Sequence, residues 1–422
     1  MARTRRIRRG HAGALVDVSM VLTTPTPVRA PLTGWLGVVS VTIALFSIVT
    51  TEILPIGLLT SIGADFTVSD GMAGLMMTMP GLVAAVAAPL ATSAAGRVDR
   101  RNMLCLFIFL LVLADALVAA APAYWVVLVS RVLVGVTIGG FWSIAAGLAE
   151  RLVSPGAVGR ANAVIFSAVP LGSVLGVPAG TLLGEIAGWR TTFVVTGVLT
   201  GVVLGMLMAF LPPLPPHSVT RIAVLRRLLR VGNVRFALLT TFLVVLAHFS
   251  TYTYVTPFLE QVTRVGAGTI TLLLLIYGGA GLFGNFLGGA AIARRPRGTL
   301  GCAAAMIACA TLLLPVLGRW EAGALVVLVM WGIGYGAVPV STQAWFAKSA
   351  PDAPEAASVL FTASFQATFA LGALAGGVVV DHGSPGSVML LGGLVATTVI
   401  ATVATHAVRG RTWPDAEALP HG

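Results

Sequence analysis

The feature that most constrains this chain is a series of uncharged apolar blocks, each of roughly the 20 residues that a helix needs to cross a bilayer's hydrocarbon core. Met103–Ala114, for example, reads MLCLFIFLLVLA. A backbone in lipid must satisfy its own hydrogen bonds, which leaves helices or a closed barrel. Barrel strands are about 10 residues long and alternate apolar with polar. The blocks here do not alternate, so they read as helices. Composition agrees: 57% of the 422 residues are hydrophobic and 10% are charged, against about 25% charged in soluble domains. Too few polar side chains exist to cover a water-facing surface.

Twelve blocks can be read, at about 35–60, 71–95, 103–121, 124–149, 160–186, 191–211, 236–260, 267–293, 299–317, 322–347, 355–380 and 386–408. The expected fold is an all-α membrane protein whose twelve transmembrane helices form two six-helix pseudo-symmetric bundles. The expected organisation is a basic, disordered cytoplasmic tail over 1–34, a bundle over 35–211, a cytoplasmic linker over 212–235, a second bundle over 236–408 and a cytoplasmic tail over 409–422. The opening MARTRRIRR resembles the basic start of a signal peptide. No short apolar region with a cleavage site follows it, so it is expected to stay uncleaved.

Charge sets the orientation. Placing both termini in the cytoplasm puts 22 of the 26 basic residues on the inside and leaves Arg190, Arg264 and Arg319 outside and Arg131 within a span. Inner loops attract arginine and lysine, so this split predicts an even number of spans. The net charge of +11 is accounted for by these loops, and no nucleic-acid partner is expected. The near absence of lysine reads as a GC-rich bacterial genome, with the protein in the inner membrane. Cys105, Cys302 and Cys309 lie in apolar runs without metal-ligand spacing, so neither a zinc site nor a disulfide framework is expected.

The two halves look alike. Val127–Arg131 (VLVSR) matches Val327–Trp331 (VLVMW) 200 residues later. Leu54-Pro55 matches Thr256-Pro257, and the basic turn at Gly96–Arg101 matches that at Arg294–Arg297. Three matches at nearly one offset support a duplication of six helices. Transporters built this way hold substrate between the repeats near the midplane.

Several stretches carry a family likeness: Thr51–Gly74 (TEILPIGLLTSIGADFTVSDGMAG), Arg131–Trp142 (RVLVGVTIGGFW), Gly172–Phe193 (GSVLGVPAGTLLGEIAGWRTTF), Thr253–Pro257 (TYVTP) and Gly376–Asp381 (GGVVVD). Over roughly 35–408 the chain resembles the major facilitator superfamily, in its twelve-helix drug:proton antiporter branch. It is most similar to bacterial purine-ribonucleoside and arabinose efflux permeases. The likeness implies export of a small molecule in exchange for protons. The family's loop between helices two and three carries a Gly, an Asp-Arg pair and a Gly-Arg-Arg. Here Arg97, Arg100 and Arg101 fit, whereas Thr92 replaces the first Gly, Gly96 the Asp and Asp99 the second Gly. The lock role of that Asp would then fall to Asp99. Gly172, Gly176, Pro178 and Gly180 resemble the antiporter motif of the fifth helix, with the usual Gly-Pro pair split by Val177.

Charges inside a bilayer cost at least about 2.5–3.5 kcal/mol and so need a reason. Glu52, Asp115 and Arg131 fall at comparable depth in the first half and are expected to form a proton-coupling cluster. Burial favours a neutral carboxyl and a nearby arginine favours an ionised one, so movement relative to Arg131 would load and release a proton. By resemblance, Arg131 matches the family's fourth-helix arginine and Glu52 its first-helix acid. His248 lies near the midplane of the seventh helix and can hydrogen-bond a ligand. Tyr252, Tyr254, Phe141 and Trp142 are the expected aromatic walls, and Gln343 and Gln366 the expected polar contacts. Gly172, Gly176, Gly180 and Gly184 recur every fourth residue and predict a close helix contact, with Pro178 as a kink.

The reading is a secondary exporter of a neutral or amphipathic molecule such as a nucleoside, sugar or drug. It draws on the proton gradient, needs no cofactor and works as a monomer. An importer of the same fold, a symporter or facilitator, is the alternative. A sensor is disfavoured by the lack of an appended soluble domain. An enzyme is disfavoured by the lack of a nucleophile–base or metal constellation. Labelling tests the orientation. In a cysteine-free background, Arg264→Cys should react with an impermeant maleimide added outside intact cells, and Arg295→Cys should not.

Overall fold

In a computed structural model, the described residues are 31–94, 98–145, 147–215, 222–292, 295–351 and 353–408. They are almost wholly helical, and twelve helices are long and apolar enough to cross a membrane. The first six are α1 (Pro31–Asp65), α2 (Leu75–Ala94), α3 (Arg100–Ala119), α4 (Tyr124–Ala145), α5 (Val158–Ala187) and α6 (Trp189–Phe210). The second six are α7 (Gly232–Tyr252), α8 (Ala267–Ile292), α9 (Pro296–Leu317), α10 (Glu321–Ser349), α11 (Pro354–His382) and α12 (Pro385–Val408). The helix α1 starts at Pro31, earlier than expected, and a short helix over Ile222–Leu228 occupies part of the segment read as a linker.

The packing repeats. In the first half α1 lies on α5 and α6, α2 on α4, and α3 on α4 and α6. In the second, α7 lies on α11 and α12, α8 on α10, and α9 on α10 and α12. Each pair is the former shifted by six helices. The halves meet where α2 packs on α11 and α5 on α8, two contacts that the same shift exchanges.

Close approach at small residues sets these contacts, because lipid offers helices no hydrophobic drive to associate. The glycines of α5 meet α1: a Cβ at Gly172 would touch Val49, at Gly176 Ile53, at Gly180 Leu54 and at Gly184 Leu58. The expected stripe is therefore a seam within the first half, and it presses on both sides of Glu52. Pro178 lies buried in the same helix. In the second half, α8 and α10 touch backbone to backbone. A Cβ at Gly332 would strike the Tyr277 carbonyl and one at Gly336 the Gly281 carbonyl. Overpacking such a contact costs about 1–3 kcal/mol. Gly336→Leu should therefore lower the melting temperature in detergent by several degrees, while Gly205→Leu, where a Cβ meets open space, should leave it nearly unchanged.

Candidate functional site

Pro55 sits inside α1 and has no N–H to give to the carbonyl one turn earlier, that of Thr51. Arg131 of α4 takes the place of that donor: its Nη1 donates to the Thr51 carbonyl at 3.1 Å, and its Nε donates to the Ser130 hydroxyl at 3.4 Å. The guanidinium is fully buried and lies over the Phe193 ring, 5.4 Å from its centre. Asp115 of α3, also fully buried, is the opposite charge that acts on Arg131, with the Thr51 and Thr200 side chains beside it. Among the described residues the two make no ion-pair contact. Both Asp115 carboxylate oxygens and Arg131 Nη2 lack a hydrogen-bond partner there.

Glu52 follows Thr51 by one residue and so points about 100° away around the helix. It leaves the Asp115–Arg131 pair and faces the second half, where the Gln366 amide of α11 donates to its Oε1 at 2.8 Å. Both side chains are buried. The expected three-residue cluster is thus a pair in the first half plus a separate carboxylate at the interface. Gln366, expected as a ligand contact, holds that carboxylate.

His248 of α7 is the centre of an aromatic stack. Tyr335 lies on its ring with centres 3.3 Å apart and planes 5° apart. Tyr252 continues the stack at 5.1 Å and 20°, and Tyr277 lies beyond Tyr252 at 4.8 Å and 23°. Trp331 stands edge-on to His248, Tyr252 and Tyr277 at 5.6, 5.9 and 5.7 Å, and its Nε1 donates to His248 Nδ1 at 3.2 Å. Phe249, packed on Tyr335, Phe365 and Phe369, closes one side. Tyr335 is also near enough to Glu52 to feel its charge. Tyr277, Trp331, Tyr335 and Phe365 escaped the sequence reading. For Trp331 and Tyr335 the signal was an aromatic pair one turn apart on a shared helix face, as His248 and Tyr252 are on α7.

Other expected residues lie elsewhere. Phe141 is in the core of the first half and Trp142 packs on Phe166. Gln343 is exposed. Tyr254 crosses to the packing cluster of the first half, fills the space beside Gly74 and Gly377, and donates to the Ala373 carbonyl at 2.8 Å. It belongs to a seal at the end of the molecule that carries Asp70 and Glu260. There Asp381 accepts from the Ser69 hydroxyl at 2.7 Å and the Gly71 N–H at 2.8 Å. Thr60 donates to Glu260, Gln261 to Asp70, and Thr256 to the Ile56 carbonyl, each across the two halves.

At the opposite end, Asp99 caps α3 through the Arg101 N–H at 2.8 Å and accepts the Leu214 N–H at 3.0 Å. The Arg100 N–H donates to the Leu214 carbonyl, and the Arg101 guanidinium reaches the Met208 carbonyl. These bonds tie the α2–α3 turn to the strand of chain that leaves α6, all within the first half. Arg97 lies outside the described residues.

The comparisons with known proteins agree with this architecture. The model of the Major Facilitator Superfamily matches residues 40–363. The chain belongs to the major facilitator superfamily. The transcription regulatory protein OpdE of Pseudomonas aeruginosa is 36% identical over 357 residues, 83% of this chain and 88% of that one. The purine ribonucleoside efflux pump NepI of Escherichia coli strain K12 is 32% identical over 372 residues, 88% of this chain and 94% of that one. A bacterial homologue of the human lysosomal transporter Spinster, in an inward-facing and unoccupied conformation, shares the fold with a TM-score of 0.67 at 16% identity, over 90% of this chain and 96% of that one. The human organic anion transporter MFSD10 does so with 0.60 at 18%, over 89% and 100%. This superfamily member is a multi-pass membrane transporter and not an enzyme.

Removing one member of a buried charge pair leaves the other uncompensated, at about 3–5 kcal/mol. Asp115→Ala and Arg131→Ala should each lower thermal stability strongly. The double variant should lose clearly less than the two losses added, as read from melting in detergent.

Proposed function

We propose that this transporter exports a small neutral or amphipathic molecule, of the nucleoside, sugar or drug class, in exchange for protons by alternating access. One observation carries the reading: Glu52, a buried carboxylate, is shared between the halves through Gln366 and stands beside an aromatic stack suited to a flat ligand. Loading a proton on Glu52 changes the charge enclosed between the halves, and with it the cost of bringing them together inside a bilayer. The Gln366 amide lies on α11 and Glu52 on α1, so one proton is linked to the relative position of the two bundles. The 32% identity to a purine ribonucleoside efflux pump supports export and a nucleoside-like substrate. The energy source is the proton gradient, with no cofactor, and the unit is a monomer because both halves build one site.

Orientation follows the arginine-rich loops. With both termini in the cytoplasm of a bacterial inner membrane, the seal around Asp381, Tyr254 and Glu260 lies outside. Export then begins with substrate entering from the cytoplasm. Arg131, with Asp115 as its opposite charge, braces α1 through the Thr51 carbonyl and keeps the helix that carries Glu52 in register. Asp99, Arg100 and Arg101 hold the cytoplasmic turn of the first bundle.

Inverted membrane vesicles with an imposed pH gradient test this, using labelled inosine, arabinose and chloramphenicol. Gradient-driven accumulation of one of them should be reduced at least about a hundredfold by Glu52→Gln, while gradient-independent exchange of that substrate persists. Accumulation untouched by Glu52→Gln would remove Glu52 from coupling. Uptake confined to right-side-out vesicles would turn the reading to an importer.

A further inference from the structure

The pseudo-symmetry places Trp331 where the first half has Arg131, as the matching VLVMW and VLVSR runs show. Both residues reach from the fourth helix of their bundle to the first. Arg131 donates to a backbone carbonyl; Trp331 donates to a side chain, His248 Nδ1, at 3.2 Å. Indole N–H is a donor only. Nδ1 must therefore act as an acceptor, and an imidazole whose Nδ1 accepts carries its single proton on Nε2.

The surroundings reinforce this. The titratable groups that face His248 are phenols: Tyr252 on α7, Tyr335 on α10 and, one ring further, Tyr277 on α8. Phe249 and the α11 residues Phe365 and Phe369 add no charge. Glu52, held by the Gln366 amide at 2.8 Å, is the carboxylate whose charge acts on Tyr335. Among the described residues nothing accepts from His248 Nε2, and the buried Tyr277 hydroxyl has no partner.

We propose that Trp331 is a positioning residue for specificity: it fixes His248 as a neutral ring with a permanent Nε2–H donor, so that the stack selects a flat, uncharged ligand with a hydrogen-bond acceptor in its ring plane. The partly buried Tyr335 is the most accessible member of the four-ring stack, and a ligand ring extends or replaces it. Offset stacking then supplies affinity, and the in-plane bond supplies discrimination. A sugar lacks the flat face, and an organic cation would meet a donor where it needs an acceptor. His248 is a recognition group in this scheme, and the transported proton is left to Glu52. The inference rests on the aromatic stack being the substrate site.

The tautomer and the specificity are tested separately. Nitrogen-15 spectra of histidine-labelled protein in bilayers, with the His248 signal assigned by its loss in His248→Gln, read the tautomer without any transport. The wild type should show one protonated nitrogen, Nε2, unchanged between pH 5 and pH 8, and Trp331→Phe should show a mixture of tautomers or a signal that moves with pH. A wild-type ring protonated at Nδ1, or one that titrates across that range, overturns the proposal. For specificity, proteoliposome transport of inosine is compared in two isosteric variants. Glutamine places an N–H near the Nε2 position and asparagine places its amide near Nδ1. His248→Asn should raise KM roughly tenfold, the loss of one hydrogen bond, with kcat little changed, and His248→Gln should recover most of it. Equal losses in the two variants would overturn the donor role even if the tautomer is as stated. Absence of inosine transport by the wild type, with the tautomer as stated, would instead be a failure of the substrate site on which the proposal rests, and would overturn it for this ligand class.

Discussion

Inside a bilayer each polar group without a partner costs several kcal/mol, because no water is present to replace the partner. The Thr51 carbonyl is where that constraint shapes this protein. Pro55 deprives it of its helical donor, and Arg131 restores one from α4. A guanidinium drawn into the bundle for this purpose brings its own charge, which Asp115 on α3 offsets. Three helices are tied together by one missing N–H. The neighbouring residue, Glu52, is turned toward the second half as a consequence of helix geometry alone.

The second half solves the corresponding problem with aromatic rings. Trp331 replaces Arg131, and its partner is a histidine ring enclosed by tyrosines in place of a carbonyl. The two halves share helix order and packing yet differ in chemistry: the first encloses charge, the second encloses flat surfaces and neutral donors. The interface at Glu52 and Gln366 is where they meet. Duplication of a fold followed by divergence of buried polar groups places buried charge in one bundle and a stack of aromatic rings in the other.

Glycine makes this possible at the level of packing. The α5 stripe lets α1 lie close against α5, and the contact of α8 with α10 brings Tyr277 and Trp331 together. Where α2 and α11 touch, Gly71, Gly74 and Gly377 admit the Tyr254 ring and the Asp381 carboxylate that close one end. The stripe at Gly172–Gly184 was legible from spacing; the seal was not, because its glycines and its tyrosine come from segments more than 120 residues apart in the chain.

By itself the sequence determined the membrane class, the twelve helices, the duplication and the family, since these depend on composition, block length and repeated motifs, which are local properties of the chain. It also singled out Glu52, Asp115, Arg131 and His248, because a charged or titratable residue in an apolar block stands out from its neighbours. Tertiary structure alone decided which of them meet. Helix rotation sent Glu52 to Gln366 and left Asp115 with Arg131. Interhelical packing moved Tyr254 out of the expected ligand site and brought Tyr277, Trp331 and Tyr335 into it. The physical reason is that in an almost uniformly apolar helix the hydrophobic pattern does not mark a face. The direction of a side chain is then set by which neighbour can approach, and that is a property of the assembled bundle.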